Sequence, residues 1–286
     1  MKKKVLVAID FSPCSLNALE HALVIADKAK ADLRMVWVES PNVYKKYVNT
    51  DYRSKILDAN VNKLEELCFK YKVALTDSVI DYKIRKGKVY QEIVKEADEI
   101  DAWLVVTGTH GSSGFEEFWV GSNANKVVTS ITRPIITIRD SNKETVRVLK
   151  KIVLPIDDTM ETRQKVPFAV ELASVFKAKI YLLKIFRSKV ESIVERTNQY
   201  AHQVEVYLDS HQIDYKETDI HSEQIATATL KYADEIDASL IVTMTEQEAG
   251  TMSFLLGPSA AKLVHHSRIP VLSIHPKEFI KILSRL

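Results

Sequence analysis

Gly108, Gly111, Gly114 and Gly121 fall within fourteen residues of a chain that has only seven glycines in 286. Globular proteins average roughly 7 % glycine, so this chain has little loose backbone elsewhere, and four glycines together point to a local backbone constraint. The run follows the apolar stretch 102–107, which reads as a buried strand, and leads into 123–130, which reads as a helix. Strand, glycine loop and helix N-terminus are the parts of a phosphate cradle. Residues without a Cβ let backbone N–H groups reach the anion, and the helix start adds unpaired donors and the positive end of its dipole.

The spacing is Gly108-x2-Gly111-x9-Gly121-Ser122; neither G-x-x-x-x-G-K-[ST] nor G-x-G-x-x-G occurs. Asp10 closes the first apolar run and reads either as a ligand contact or as a turn and helix-capping aspartate. Ser122 reads as a phosphate donor or as the N-cap of its helix, and the two are compatible. His110 reads as a solvated loop residue, and Phe118 and Trp119 as side chains that pack the loop down. No Ser/His/Asp set or carboxylate pair can be assembled, so no catalytic residue is assigned.

The elements that position these residues alternate. Strands are predicted near 4–10, 32–38, 79–85, 102–107 and 134–138, and helices near 13–29, 51–71, 88–99 and 121–131. Ser12 and Pro13 read as N-cap and first helical residue, followed by a stripe of Leu16, Leu19, Leu23 and Ala26. Leu57, Val61, Leu64 and Cys68 form the stripe of the second helix, which makes Cys68 a core residue before a reactive one. Such alternation predicts a parallel sheet with helices on both faces, and ligands then bind beyond the carboxyl ends of the strands where strand order reverses. Asp10 and Gly108 both end strands, so one crevice serves both.

The unit is written twice. Residues 3–10 reappear as 150–157, each an apolar run ending in aspartate; Val105–Thr107 aligns with Ile241–Thr243, Gly121–Val128 with Gly257–Val264, and Arg133–Ile138 with Ile269–Ile274. Phe168, Leu172 and Val175 give the second copy its first stripe, which places Pro167 in the first turn of that helix. Two domains are expected, 1–142 and 148–286. Forty basic against 38 acidic side chains leave a net charge of +2, with no concentrated basic face to recruit nucleic acid. Two cysteines form neither a disulfide framework nor a metal motif. The apolar run before Asp10 is too short for a signal peptide, and no stretch approaches the about 18 apolar residues of a membrane span. A cytoplasmic protein without membrane contact is expected.

The motif Gly108-x2-Gly111-x9-Gly121-Ser122, the run Ala8-Ile-Asp-Phe-Ser12 after the first strand, and the Pro-plus-apolar last strand of both halves resemble the universal stress protein family, over nearly the full chain. The resemblance implies two tandem five-stranded parallel α/β domains of the adenine-nucleotide-binding, Rossmann-like group. It also implies an ATP site, with Mg, in the first copy. Carried over by position, Asp10 would lie near the adenosine end, with Ala8 and Val38 around the adenine. Thr107, Gly108 and Gly111 would approach ribose and phosphates, and Gly121, Ser122 and Asn123 would close on the phosphates from the helix start. It further implies pairing of the two last strands within one molecule; a homodimer stays open.

The second copy departs from the pattern. Met244 and Gln247 replace the first two motif glycines, Pro258 replaces the serine and removes a donor, and Glu246 and Glu248 bring negative charge to the phosphate end. Asp157 is kept but now stands beside Asp158. One competent nucleotide site, in residues 1–140, is expected, with a degenerate second domain. The histidines at 202, 211, 221, 265, 266 and 275 lack compact ligand spacing and read as surface or core residues. The tail 276–286 is a short amphipathic stretch that reads as packing on its own domain. The leading reading is an ATP-binding regulatory protein of a stress response. The alternatives are an enzyme acting slowly on ATP or an adenylated substrate, and a scaffold with a vestigial site.

Overall fold

The computed structural model describes residues 2–40, 50–75, 77–109, 121–139, 148–247 and 254–276. His110, Gly111, Gly114, Phe118, Trp119, Glu248 and the tail from residue 277 on therefore lie outside the described residues. The chain divides into two compact units, Met1–Arg147 and Val148–Leu286.

In the first unit β1 (Lys4–Ala8) leads to α1 (Pro13–Ala29), β2 (Asp32–Glu39), α2 (Thr50–Tyr71), a 3-10 turn (Lys72–Ala74), β3 (Ile80–Lys86), α3 (Val89–Glu99), β4 (Leu104–Gly108), α4 (Ser122–Ser130) and β5 (Ile135–Ile138). All strand pairs are parallel, in the order β3-β2-β1-β4-β5. Val5, Leu6, Val7, Leu104, Val105 and Val106 are fully buried, as strands covered by helices on both faces must be.

Ser12 caps α1, its Oγ accepting from Ser15 N at 3.2 Å, and Pro13 opens the helix. Its buried face is Ala18, Leu19, Ala22, Leu23, Ile25 and Ala26; Leu16, read as part of the stripe, is only half-buried. In α2, Leu64 is fully buried while Leu57, Val61 and Cys68 are half-buried. Burial, reinforced by Asp81 and Glu65, pushes the Cys68 thiol up to about 11, which keeps it protonated and unreactive near neutral pH. The outer side of this sheet is held by charge. Arg34 donates from Nε to Asp81 (2.8 Å) and from Nη1 to Glu96 (3.1 Å), and Arg85 Nε donates to the other Glu96 oxygen (2.5 Å).

The second unit repeats the plan with β6 (Lys151–Ile156), a 3-10 turn (Met160–Arg163), α5 (Val166–Phe176), β7 (Lys179–Phe186), α6 (Glu191–Ser210), β8 (Tyr215–His221), α7 (Ile225–Glu235), β9 (Leu240–Met244), α8 (Pro258–His266) and β12 (Val271–Ile274). Its parallel order is β8-β7-β6-β9-β12. A short antiparallel ladder, β10 (Glu246–Gln247) with β11 (Phe254–Leu255), precedes α8.

The helix after the first strand differs between the units. Pro167 sits in the first turn of α5, as its missing N–H demands, so the four residues matching the start of α1 form a separate 3-10 turn. The buried face moves accordingly to Val166, Ala169, Val170, Leu172 and Ala173, while Phe168 and Val175, read as part of the stripe, are half-buried.

Candidate functional site

In the first unit the chain runs from β1 outward to β2 and β3, then returns to place β4 and β5 on the other side of β1. The order reverses between β1 and β4, and the crevice of such a sheet opens there. Ala8 ends β1 and Gly108 ends β4, with Thr107 before it, and Val38 stands near the end of β2. The start of α4 is tied to the same place, because Gly121 N donates to Thr109 O (2.7 Å) and Thr109 N to Ile138 O (2.8 Å). Eight of the nine predicted site residues thus lie beyond or at the carboxyl edge of one sheet or on the helix bonded to it; Gly111 lies outside the described residues.

Asp10 is exposed, and its Oδ1 accepts from Ser12 N (3.0 Å) and Ser12 Oγ (2.5 Å). Inside this turn Phe11 stands at φ 63°, whereas Asp158, its counterpart in the second unit, has no positive φ; such a conformation costs a bulky L residue of order 1–3 kcal/mol and tends to occur where a site is being shaped. Nothing in the sequence marks Phe11 as strained. The second unit builds the same aspartate turn. Asp157 Oδ1 accepts from Thr159 N (2.9 Å) and Thr159 Oγ1 (2.5 Å), and Asp157 N donates to Thr162 Oγ1 (3.3 Å), as Asp10 N does to Ser15 Oγ (3.3 Å). The turn therefore belongs to the fold of each unit.

The two motif glycines have different reasons to be glycine. Neither Gly108 nor Gly121 has a positive φ, so space is what matters at both. A Cβ on Gly108 would lie 2.8 Å from Cys14 Sγ and 3.0 Å from the Cys14 carbonyl carbon. Gly108 thus lets the first turn of α1 lie directly on β4. At Gly121 a Cβ would meet, among the described residues, only Thr109 O at 3.3 Å. Gly121 is itself the N-cap of α4 and contributes no side-chain cap, so the cap reading of Ser122 is corrected: Ser122 is the first helical residue, exposed like Asn123. An uncapped start leaves the first-turn donors without the side-chain acceptor that a serine cap would have brought.

Glu39, next to Val38 at the end of β2, is a buried carboxylate that sequence reasoning missed; a charged last residue of a strand reads as solvated, and only the register reveals its burial.

At matching positions the second unit carries larger or charged groups that bond to one another. Phe186 takes the place of Glu39 and stacks on His221, ring centroids 5.0 Å apart. Lys165, aligned with Ala18, is 4 % exposed, and its Nζ donates to Thr162 Oγ1 at 3.1 Å. Burial lowers its pKa to about 8 against the opposing pull of Asp157. Asp158, read as extra negative charge, is instead neutralised by Arg187, which donates from Nε (2.7 Å) and Nη2 (3.0 Å) and holds that carboxyl below its usual range. A Cβ on Gly257 would lie 1.7 Å from Glu246 Oε1 and 1.9 Å from Glu246 Cδ.

A model of the universal stress protein family matches residues 1–139 and again residues 149–275. The chain belongs to the universal stress protein family, as a tandem of two such domains. A universal stress protein of Methanocaldococcus jannaschii is 27 % identical over 149 residues, 50 % of this chain and 85 % of that protein. One of Bacillus subtilis is 28 % identical over 150 residues, 49 % of this chain and all of that protein. Among solved structures, a universal stress protein of Archaeoglobus fulgidus superposes with a TM-score of 0.78 at 15 % identity, over 96 % of this chain and 98 % of that one, a likeness of fold. Two tandem α/β domains, each a five-stranded parallel sheet with helices on both faces, are the architecture of this universal stress protein.

The histidines of the second unit are dispersed. His221 stacks on Phe186, His275 Nδ1 shares a hydrogen bond with Thr245 Oγ1 (2.6 Å), and His202 lies 3.4 Å from Glu205. Among the described residues no group of three or more His, Cys, Asp or Glu side chains is arranged to hold a metal ion, and no helix is long and apolar enough to cross a membrane.

Proposed function

We propose that the first unit binds an adenine nucleotide, ATP with Mg, at the switch point between β1 and β4, and that occupancy of this one site makes the chain a regulatory module of a stress response. The observation that carries this reading is Gly121. It has ordinary backbone angles, φ −54° and ψ 143°, which any residue adopts, yet it is a glycine. The volume over its Cα is bounded among the described residues by the Thr109 carbonyl alone, at the uncapped start of a helix bonded to the end of β4. A phosphate fits such a cradle, since backbone donors and the helix dipole favour an anion there. Each well-aimed N–H to a charged oxygen contributes about 1.5–3 kcal/mol, so three or four support micromolar binding.

In this reading Ala8 and Val38 line the adenine end, Thr107, Gly108 and Gly111 approach ribose and phosphates, and Gly121, Ser122 and Asn123 hold the phosphates. Asp10 contributes its outer carboxylate oxygen near the adenosine while its Oδ1 stays in the turn. Mg enters as part of the nucleotide complex. The bound nucleotide supplies phosphate charge and an ordered ligand surface next to the segment after β4, which partners would read. Binding rather than turnover is favoured because Asp10, the carboxylate just beyond the end of β1, is engaged in a turn that both units build.

The test is titration calorimetry of nucleotide-stripped full chain with Mg-ATP. A stoichiometry near one per chain, lost in Gly121→Val and kept in Gly257→Val, is the expected result. A folded protein that takes up no nucleotide, or two equivalents, would overturn it.

A further inference from the structure

Gly257 is retained in the second unit although Met244 and Gln247 have replaced its two partner glycines, and the backbone supplies a reason. The β10–β11 ladder pairs Glu246 with Leu255, so Gly257, two residues on, is the diagonal neighbour on the face that Glu246 presents. The carboxylate follows that geometry: Oε1, Cδ and Oε2 of Glu246 lie 1.7, 1.9 and 2.6 Å from where a Cβ of Gly257 would be. They occupy the volume above the N-cap of α8. In the first unit the matching volume above Gly121 meets only the Thr109 carbonyl, among the described residues. Glu246 is exposed, so nothing buries it there; the position suits it because a carboxylate is stabilised at a helix start.

We infer that Glu246 is a built-in anion of the second unit: its carboxylate takes the place that a phosphate takes at the start of α4, and so closes the start of α8 to nucleotide phosphate. Gly257 is kept to make room for that carboxylate rather than for a ligand. The inference rests on the reading of Gly121 as the phosphate cradle of the first unit. It adds to the loss of one donor at Pro258, because the donors that remain at Ser259 and Ala260 share the helix start with that carboxylate.

The test labels the full chain with 15N-serine, so that Ser122 and Ser259 report on the two helix starts in one spectrum. Inorganic phosphate and, separately, Mg-ATP are titrated into wild type, Glu246→Ala and Glu246→Gln. The side chain is exposed and the ladder is backbone-bonded, so neither variant should disturb folding, which thermal melts verify. The expected result is a Ser259 amide that is indifferent to phosphate in wild type and moves saturably in Glu246→Ala, with affinity at least about tenfold tighter; Glu246→Gln, which keeps the bulk and removes the charge, falls between. A Ser259 that responds equally in wild type, or in neither protein, overturns the inference. Failure of the first-unit reading shows separately, as a Ser122 amide that Mg-ATP does not move in any of the three proteins.

Discussion

The two crevices of this chain share a sheet order, an aspartate turn and a glycine at the last helix start, yet they differ in the side chains that stand at matching positions. In the first, Ala18, Gly108 and Gly121 are small, and among the described residues the space over Gly121 meets one carbonyl. In the second, Lys165 lies buried behind Asp157, Phe186 stacks on His221, and Glu246 sits over Gly257. The difference separates what a fold needs from what a site needs. The aspartate turn recurs with nearly the same distances in both units, so it is a way of ending the first strand. What the second unit changes is side-chain size, with Lys165 for Ala18, Phe186 for Glu39 and Met244 for Gly108, while Gly257 is kept.

The sharpest way to break the comparison is Gly121→Val. Its branched side chain would fill the cradle, and the loss of two charge-assisted bonds, on the order of 3 kcal/mol, lowers Mg-ATP affinity at least about a hundredfold by calorimetry. Gly257→Val should leave that affinity unchanged. Equal loss in both variants would erase the distinction between the crevices.

Next in size is Lys165→Met. A lysine whose pKa falls from 10.5 to about 8 on folding costs on the order of 3 kcal/mol while both states are protonated. Below pH 8 the whole cost is present. Between about 8 and 10.5 the unfolded chain holds a proton that the folded one has lost, so stability of the second unit rises with pH across that window. Denaturant melts should show this rise in wild type. In Lys165→Met the rise should vanish and stability at pH 7 should be higher; a flat wild-type profile would mean that the ammonium is well solvated.

Gly108→Ala should cost the first unit about 1–3 kcal/mol, because its Cβ would press on the Cys14 backbone at 3.0 Å and overpacking at a rigid contact costs that much. Met244 shows the other solution, since the second unit has a 3-10 turn where α1 makes its first turn. The smallest effect is shared. Asp10→Ala and Asp157→Ala should each lose about 1 kcal/mol, as caps and turns of this kind do, and equal losses in the two units would confirm the turn as a property of the fold. A much larger loss at one of them would tie that aspartate to its own crevice.

Most of the architecture was legible in the sequence because it is written locally. Alternating apolar runs and helical stripes set the order of elements, the repeat of 3–10 in 150–157 set the duplication, and Pro167 announced a helix start by its missing N–H. Of the glycine cluster, Gly108 ends β4 and Gly121 opens α4, beside the point where the strand order reverses. What the sequence determined alone was therefore the period, the repeat and the positions where side chains had to be small. The tertiary structure decided where the large and charged ones went. Lys165 is buried against Thr162; Asp158, beside Asp157 in the sequence, is paired with Arg187, 29 residues away; Glu246 finds Gly257 through an antiparallel register. The pairings of Asp158 and Glu246 depend on contacts between segments apart in the chain, and the burial of Lys165 on what packs over it; a side chain's destination there is set by strand register and by the room its neighbours leave, neither of which any local pattern encodes.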